Sequence, residues 1–214
     1  MKQIFLIGSS FVYGVGGENG GWGDYLKQAL HQKMYSDNGV GEKYEVYNFS
    51  KPGATIDFAT KNFPIWLEQY GRDGEIITIV SIGGNNVKAE NTPDNFVSTV
   101  DDYINQMSEL LDILKRGSSH VIAVGSGFYD ESKTNPKPSP FDGKKSYFKN
   151  DRRQLFESHF QKLCQEKDIT FISLDIDEDN WKANYLYKDG LHSNIAGHKL
   201  VSQKALSEVE KLLT

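Results

Sequence analysis

The sequence predicts an α/β fold in which helices cover both faces of a parallel sheet. Three observations carry this. Five short apolar runs, rich in β-branched residues, alternate with helical periodicity along the 214 residues. The central run, Ile76-Ile77-Thr78-Ile79-Val80-Ser81-Ile82, is nearly apolar on both faces, as a strand covered on both sides must be. Polar, glycine-bearing segments follow the runs, where an open parallel sheet keeps its ligand-binding crevice.

Taken in order, Ile4–Ile7 reads as the first strand and leads into Gly8-Ser9-Ser10-Phe11-Val12-Tyr13-Gly14. Gly8 lets the chain turn out of the strand, and a serine placed there begins a helix whose first N–H groups point outward. Tyr44–Phe49 is the second strand, and Phe63, Trp66, Leu67 and Tyr70 form a helical stripe after it. Ile76–Ile82 is the third strand. Between Asp94 and Arg116, the residues Phe96, Val100, Tyr103, Met107, Leu110 and Leu114 recur at spacings of four and three, which predicts a long amphipathic helix. His120–Val124 is the fourth strand, a helical segment runs from Leu155 to Cys164, and Ile169–Leu174 is the fifth strand. The closing helix begins near Ser193, read as its N-cap, and turns Val201, Ala205, Val209 and Leu212 to the sheet. Such β-α repeats connect by right-handed crossovers. No repeat or long linker divides the chain, so residues 1–214 are expected to form one domain. The least regular stretch, Gly125 to Tyr147 with Pro136, Pro138 and Pro140, is either a ligand-contacting loop or a surface excursion.

Composition narrows the function classes. With 24 basic against 29 acidic residues and a net charge of −5, the chain lacks the basic stripe that a nucleic acid partner requires. A single cysteine, Cys164, excludes an intrachain disulfide and a paired-thiol metal motif, and its place in a helical stripe reads as a buried structural thiol. The apolar run after Met1-Lys2-Gln3 is too short for a signal-peptide core, and no stretch approaches the ~20 residues of a membrane span, so the chain as given is expected in the cytoplasm. The acidic run Asp175-Ile176-Asp177-Glu178-Asp179 raises a metal site, but carboxylates in a solvated loop explain it, and neither metal nor cofactor is expected. Neither a Gly-X-Ser-X-Gly elbow nor a P-loop occurs.

The strand exits hold the chemistry. Ser10 follows the first strand, Ser50-Lys51-Pro52-Gly53-Ala54-Thr55 the second, Gly83-Gly84-Asn85-Asn86 the third, and Asp189-Gly190-Leu191-His192 lies beyond the fifth. A serine hydroxyl needs a base to remove its proton. Of five histidines, His31, His159 and His198 lie in helical patterns and His120 starts a strand at the opposite edge, which leaves His192. Asp189, three residues earlier, can accept from Nδ1–H of His192 and leave Nε2 facing the serine. The backbone N–H groups of Ser10 and Gly53 and the side-chain amide of Asn85 are candidate donors to an oxyanion. Each residue also has an ordinary explanation: Ser10 as a helix cap, Gly53 and Asn85 as turn residues, Asp189-Gly190 as a turn dipeptide.

In company, these residues resemble the SGNH (GDSL-type) hydrolase family. Its nucleophile motif Gly-Asp-Ser-Leu is similar to Gly8-Ser9-Ser10-Phe11, followed by Tyr13-Gly14 and Gly21-Trp22-Gly23 to Leu26. Its oxyanion glycine corresponds to Gly53, its Gly-X-Asn-Asp motif to Gly83-Gly84-Asn85-Asn86, and its Asp-X-X-His motif to Asp189-Gly190-Leu191-His192. The resemblance implies a three-layer, flavodoxin-like fold with strand order 2-1-3-4-5, no metal, and hydrolysis of small acyl esters by a Ser10-His192-Asp189 triad. Two positions depart from the family: Ser9 and Asn86 each stand where it has aspartate. A second reading follows from them, a catalytically impaired module that binds a carbohydrate or small acid in the same crevice. Trp22, Tyr129 and Phe141 are candidates to stack on a sugar or line an acyl site, or simply to pack.

Overall fold

The computed structural model describes residues 1–36, 38–139 and 143–212. In chain order the elements are β1 (Lys2–Gly8), α1 (Ser10–Tyr13), α2 (Trp22–Tyr35), β2 (Tyr44–Asn48), α3 (Ile56–Tyr70), β3 (Glu75–Ser81), α4 (Gly84–Val87), β4 (Ala89–Glu90), α5 (Val100–Gly117), β5 (His120–Val124), α6 (Glu131–Thr134), β6 (Lys137–Pro138), β7 (Lys145–Tyr147), α7 (Asn150–Glu166), β8 (Thr170–Ile172), α8 (Glu178–Asn184) and α9 (Ile195–Lys211). Five strands form a parallel sheet in the order β2-β1-β3-β5-β8. Counting only those five, this is the order 2-1-3-4-5.

Strand alternation divides the core into two layers. Phe5, Ile7, Val80 and Ala123 face α3, α5 and α7 on one side of the sheet. Ile4, Leu6, Ile77, Ile79 and Ile122 face α2, α8 and α9 on the other. Both apolar faces of β3 are therefore used, as its Ile/Val run, broken only by Thr78, requires; each such Ile or Val side chain contributes roughly 1.5–3 kcal/mol on burial. Cys164 lies wholly buried, and burial pushes its thiol up to about 12.

Three local expectations need correction. The long helix starts at Val100, not Asp94, because Thr99 and Asp102 form a capping box: Thr99 Oγ1 accepts from the Asp102 N–H at 3.1 Å, and Asp102 Oδ2 accepts from the Thr99 N–H at 3.3 Å. Phe96 consequently lies outside the helix, under the Arg152 guanidinium at 3.9 Å. The last helix is capped by Asn194, whose Oδ1 accepts from the Gly197 N–H at 3.0 Å, while Ser193 is buried and bridges to Leu186. The fifth strand pairs only over Thr170–Ile172, with Ile169 closing α7 by donating to Cys164 at 2.8 Å.

The stretch Gly125 to Tyr147 is more structured than its composition suggests. It contributes α6 and the strands β6 and β7, which pair antiparallel with each other and with β4 in a small second sheet. Asn150, the buried first residue of α7, accepts from the Tyr129 N–H at 2.8 Å and donates to the Tyr129 carbonyl at 2.9 Å. This clamps the excursion over the C-terminal edge of the main sheet.

Candidate active site

Ser10 is held by the passage from β1 into the four-residue helix α1, anchored by buried Val12. Gly8 is required there by close approach: a Cβ would lie 2.1 Å from Val12 Cγ2 and 2.4 Å from the Ser81 carbonyl oxygen. Gly8 completes the strand, and the sharp turn out of it falls one residue later, at Ser9. Ser9 precedes α1, buried and making no side-chain cap bond, on the wall of the same cavity as Ser10.

His192 comes from a turn tied at several points. Tyr187 donates to the His192 carbonyl at 2.7 Å, and Asp130 donates to the Gly190 carbonyl at 2.9 Å, which fastens the turn to the Gly125–Tyr147 excursion. His192 Nε2 lies 2.9 Å from Ser10 Oγ, and Nδ1 lies 2.7 Å from Asp189 Oδ2. Asp189 Oδ1 accepts the backbone N–H groups of Leu191 and His192, each at 3.0 Å. Burial opposes ionisation of Asp189, but the hydrogen bonds from His192 and then Leu191 outweigh it and hold the carboxyl well below the usual carboxylate range. Because that carboxylate carries no proton, Nδ1 holds the ring hydrogen and Nε2 is free to accept from Ser10.

The donors expected for an oxyanion are distributed unevenly. Asn85 borders the Ser10 cavity, and its Nδ2 donates to the Ala54 carbonyl at 2.9 Å, leaving its other N–H. Gly53 adjoins Ala54 but is exposed and does not border the cavity. A Cβ on Gly53 would meet nothing within 4 Å, so the residue is glycine for its left-handed φ of +82°, not for close approach. Among the described residues, neither the Ser10 nor the Gly53 N–H has a hydrogen-bond partner.

Asn86 has a structural task that accounts for its departure from aspartate. Buried, it accepts from the Ile56 N–H at 3.1 Å and so caps α3 from outside; its Nδ2 donates to Ser98 Oγ at 3.0 Å and Gln106 Oε1 at 3.2 Å. His198 is likewise structural: it is wholly buried, its Nδ1 accepts from the Trp22 N–H at 3.2 Å, and its Nε2 lies 3.2 Å from the Val15 carbonyl. Trp22 is core, wholly buried, and does not border the cavity. Tyr129 does border it, its phenol pushed up to about 12 by burial, while Phe141 falls outside the described residues. In the acidic run, Asp177 caps α8, Glu178 pairs with Lys182, and Asp175 lies 3.6 Å from Lys204. Among the described residues no cluster of three histidine, cysteine or carboxylate side chains suits a metal, and no helix is long and apolar enough to cross a membrane.

Sequence reasoning missed four residues at the site. Lys137 of β6 reaches Asp189, donating to its carbonyl at 2.8 Å with Nζ 3.4 Å from Oδ2. Arg153, Glu157 and Trp181 border the cavity beside Ser10, whose volume is about 100 Å³. The Arg153–Glu157 pair is legible as an ordinary i,i+4 helical pair, but nothing in the sequence turns it toward Ser10.

A doubly wound α/β sheet with a hydroxyl, an imidazole and a carboxylate aligned at its C-terminal edge is the build of a hydrolase. The chain belongs to the GDSL-like Lipase/Acylhydrolase family, whose sequence model matches residues 6–200, and it is a carboxylic-ester hydrolase. No curated protein matches it at significant similarity. Its fold is similar to that of the lipase/acylhydrolase from Enterococcus faecalis, with TM-score 0.73 and 16% identity over 99% of this chain and 97% of that one. It is also similar to the psychrotrophic esterase EstA from Pseudoalteromonas sp. (TM-score 0.67, 15% identity, 99% and 98% covered). A third similar structure is Axe2, an acetylxylan esterase from Geobacillus stearothermophilus (TM-score 0.65, 18% identity, 97% and 93% covered).

Proposed function

We propose that the chain hydrolyses small acyl esters through a covalent acyl-enzyme on Ser10. The observation that carries this reading is the unbroken line from Ser10 Oγ through His192 to Asp189, with separations of 2.9 and 2.7 Å. As Oγ bonds to the ester carbon, its proton passes to His192 Nε2 and the carbonyl electrons move onto oxygen. The oxyanion is received by the N–H of Ser10 and by the Asn85 N–H that Ala54 leaves unengaged, with the Gly53 N–H, outside the cavity, as the third donor the family resemblance implies. Collapse breaks the bond to the alcohol, which takes the proton from His192. A water then attacks the acyl carbon, giving its proton to His192, and Ser10 departs with that proton as the acid is released. Asp189 stays ionised throughout, fixing the tautomer and facing the imidazolium.

The cavity of about 100 Å³ beside Ser10 has room for a short acyl chain. The binding-only reading rested on Ser9 and Asn86, and the Asn86 bonds supply a structural reason for that substitution without touching proton transfer. Release of acetate from acetylated sugars, and of nitrophenol from a graded acyl series, each with a His192→Ala control, tests the proposal. Turnover abolished by the substitution supports it. Turnover that persists in His192→Ala removes the triad, and a folded wild type without turnover restores the binding-only reading.

A further inference from the structure

The cavity beside Ser10 lies between the exits of β3 and β5 and is bordered by the rings of Tyr103, Tyr129, Phe148, Phe156 and Phe160. Two phenol hydroxyls stand in this apolar lining. Tyr103 is 3% exposed and Tyr129 6%. Among the described residues neither hydroxyl has a hydrogen-bond partner. The unpartnered side-chain atoms sealed from solvent belong to Trp22, Tyr25, Arg153 and Trp181; the Tyr103 and Tyr129 hydroxyls are not among them, so both keep accessible surface, and the space they border is the Ser10 cavity. Packing fixes both rings: Tyr103 lies against Phe156 with centroids 4.4 Å apart, and Tyr129 meets Phe148 edge-on at 5.4 Å. Two glycines let the hydroxyls come close to the reacting centre. A Cβ on Gly83 would lie 3.1 Å from the Tyr103 oxygen and one on Gly84 3.8 Å from the Tyr129 oxygen, and the next residue is Asn85, the proposed oxyanion donor. Burial keeps both phenols protonated, so each offers an O–H at neutral pH as well as an oxygen that accepts.

An all-carbon chain that displaced water from this cavity would leave both hydroxyls desolvated and unpaired, which is costly, whereas a hydroxyl on the chain accepts from one phenol and donates to the other. We infer that the Tyr103 and Tyr129 hydroxyls are a recognition site for a hydroxyl carried on the acyl group, so that hydroxyacyl esters are the favoured substrates. The inference rests on the Ser10 mechanism proposed above. In that mechanism the alcohol departs before water attacks while the acyl group stays on Ser10, and a cavity walled by buried rings suits the part that stays. A neutral hydroxyl fits better than a carboxylate, because Glu157 borders the same cavity and its charge adds to the burial that lifts both phenols.

Pairs of ethyl esters that differ by hydroxyl for methyl read this directly: ethyl 2-hydroxypropanoate against ethyl 2-methylpropanoate, and ethyl 3-hydroxybutanoate against ethyl 3-methylbutanoate. In the wild type, the kcat/KM ratio of hydroxyl to methyl ester should exceed the same ratio for hydroxide-catalysed hydrolysis by roughly tenfold in one pair, which places the hydroxyl on the chain. Tyr103→Phe and Tyr129→Phe keep the rings and remove only the hydroxyls, and at least one should pull the enzymatic ratio back toward that of hydroxide. Neither should lower the midpoint of urea unfolding, because neither hydroxyl has a partner in the protein. A wild-type ratio no higher than that of hydroxide in both pairs overturns the inference, as does a ratio that neither substitution moves, or a loss of stability in the variant that moves it. An alcohol-side pair, 2-hydroxyethyl acetate against propyl acetate, checks the side: a preference for the hydroxyl in this pair alone also overturns the inference. Ser10→Ala separates the two levels. Ser10-dependent turnover with an unmoved ratio defeats this inference alone, whereas turnover that survives Ser10→Ala, or a wild type that hydrolyses none of the esters, defeats the mechanism and the inference together.

Discussion

The Lys137 ammonium lies 3.4 Å from Oδ2 of Asp189 and donates to the carbonyl of the same residue at 2.8 Å. A lysine from the small sheet thus holds the turn that carries His192. The contact joins β6 to Asp189 across 52 positions of the sequence, so the excursion over the sheet edge and the candidate site are mechanically coupled.

Lys137→Met is expected to lower kcat for a nitrophenyl ester about three- to tenfold while leaving KM close to its wild-type value, because Lys137 positions Asp189 and touches no substrate. The pair is about a quarter exposed, so salt screens it, and the wild-type advantage should shrink between low and high ionic strength. Lys137→Arg should recover part of the loss. A change confined to KM would show that the lysine acts on substrate instead.

His198 gives the fold a pH dependence of its own. Burial holds its pKa below the usual histidine range, while the carbonyl of Val15 opposes that shift. With the folded pKa depressed, the unfolded chain binds the proton more readily. The contribution of neutral His198 is therefore fully present above about pH 6.5 and is lost as pH falls through the folded pKa. Urea titrations from pH 8 to 5 should show this decline in the wild type and a flatter profile in His198→Gln. Identical slopes would mean that other groups carry the acid sensitivity.

Asn86 separates a structural from a catalytic account of the altered motif. Asn86→Leu leaves the Ile56 N–H, Ser98 and Gln106 without their buried partner and should cost about 2–4 kcal/mol in denaturant unfolding. Asn86→Asp should cost less, since the Ser98 hydroxyl and the Gln106 amide can turn to donate to a carboxylate. Equal costs would contradict the assigned roles.

Gly8→Ala forces a methyl group against Val12 and the Ser81 carbonyl, at 2.1 and 2.4 Å, and backbone cannot yield cheaply. It should cost about 1–3 kcal/mol of stability, and by displacing α1 it should lower kcat/KM about a hundredfold through misplacement of Ser10. A stable variant with unaltered activity would show that Ser10 is not positioned by this packing.

These contrasts explain how far the sequence carried. Strands such as Ile76–Ile82 announce themselves because burial on both faces leaves only Thr78 and Ser81 polar, and Asp189-Gly190-Leu191-His192 is legible because a carboxylate and an imidazole share one turn. The start of α5 is fixed by the reciprocal Thr99–Asp102 bonds, which a four-residue extension of the apolar stripe to Phe96 conceals. The strands β4, β6 and β7 span only two or three residues and exist through pairing between distant segments, so no periodicity marks them. Lys137, Arg153 and Trp181 escape for a related reason: their meaning lies in what they face, and each faces residues far away in the chain.

Mass analysis of the intact protein after incubation with a fluorophosphonate tests the central claim most directly. The account predicts one adduct per chain, mapped to Ser10, absent in Ser10→Ala and slowed at least a hundredfold in His192→Ala. A folded wild type that stays unlabelled, or an adduct that persists in Ser10→Ala, would contradict it.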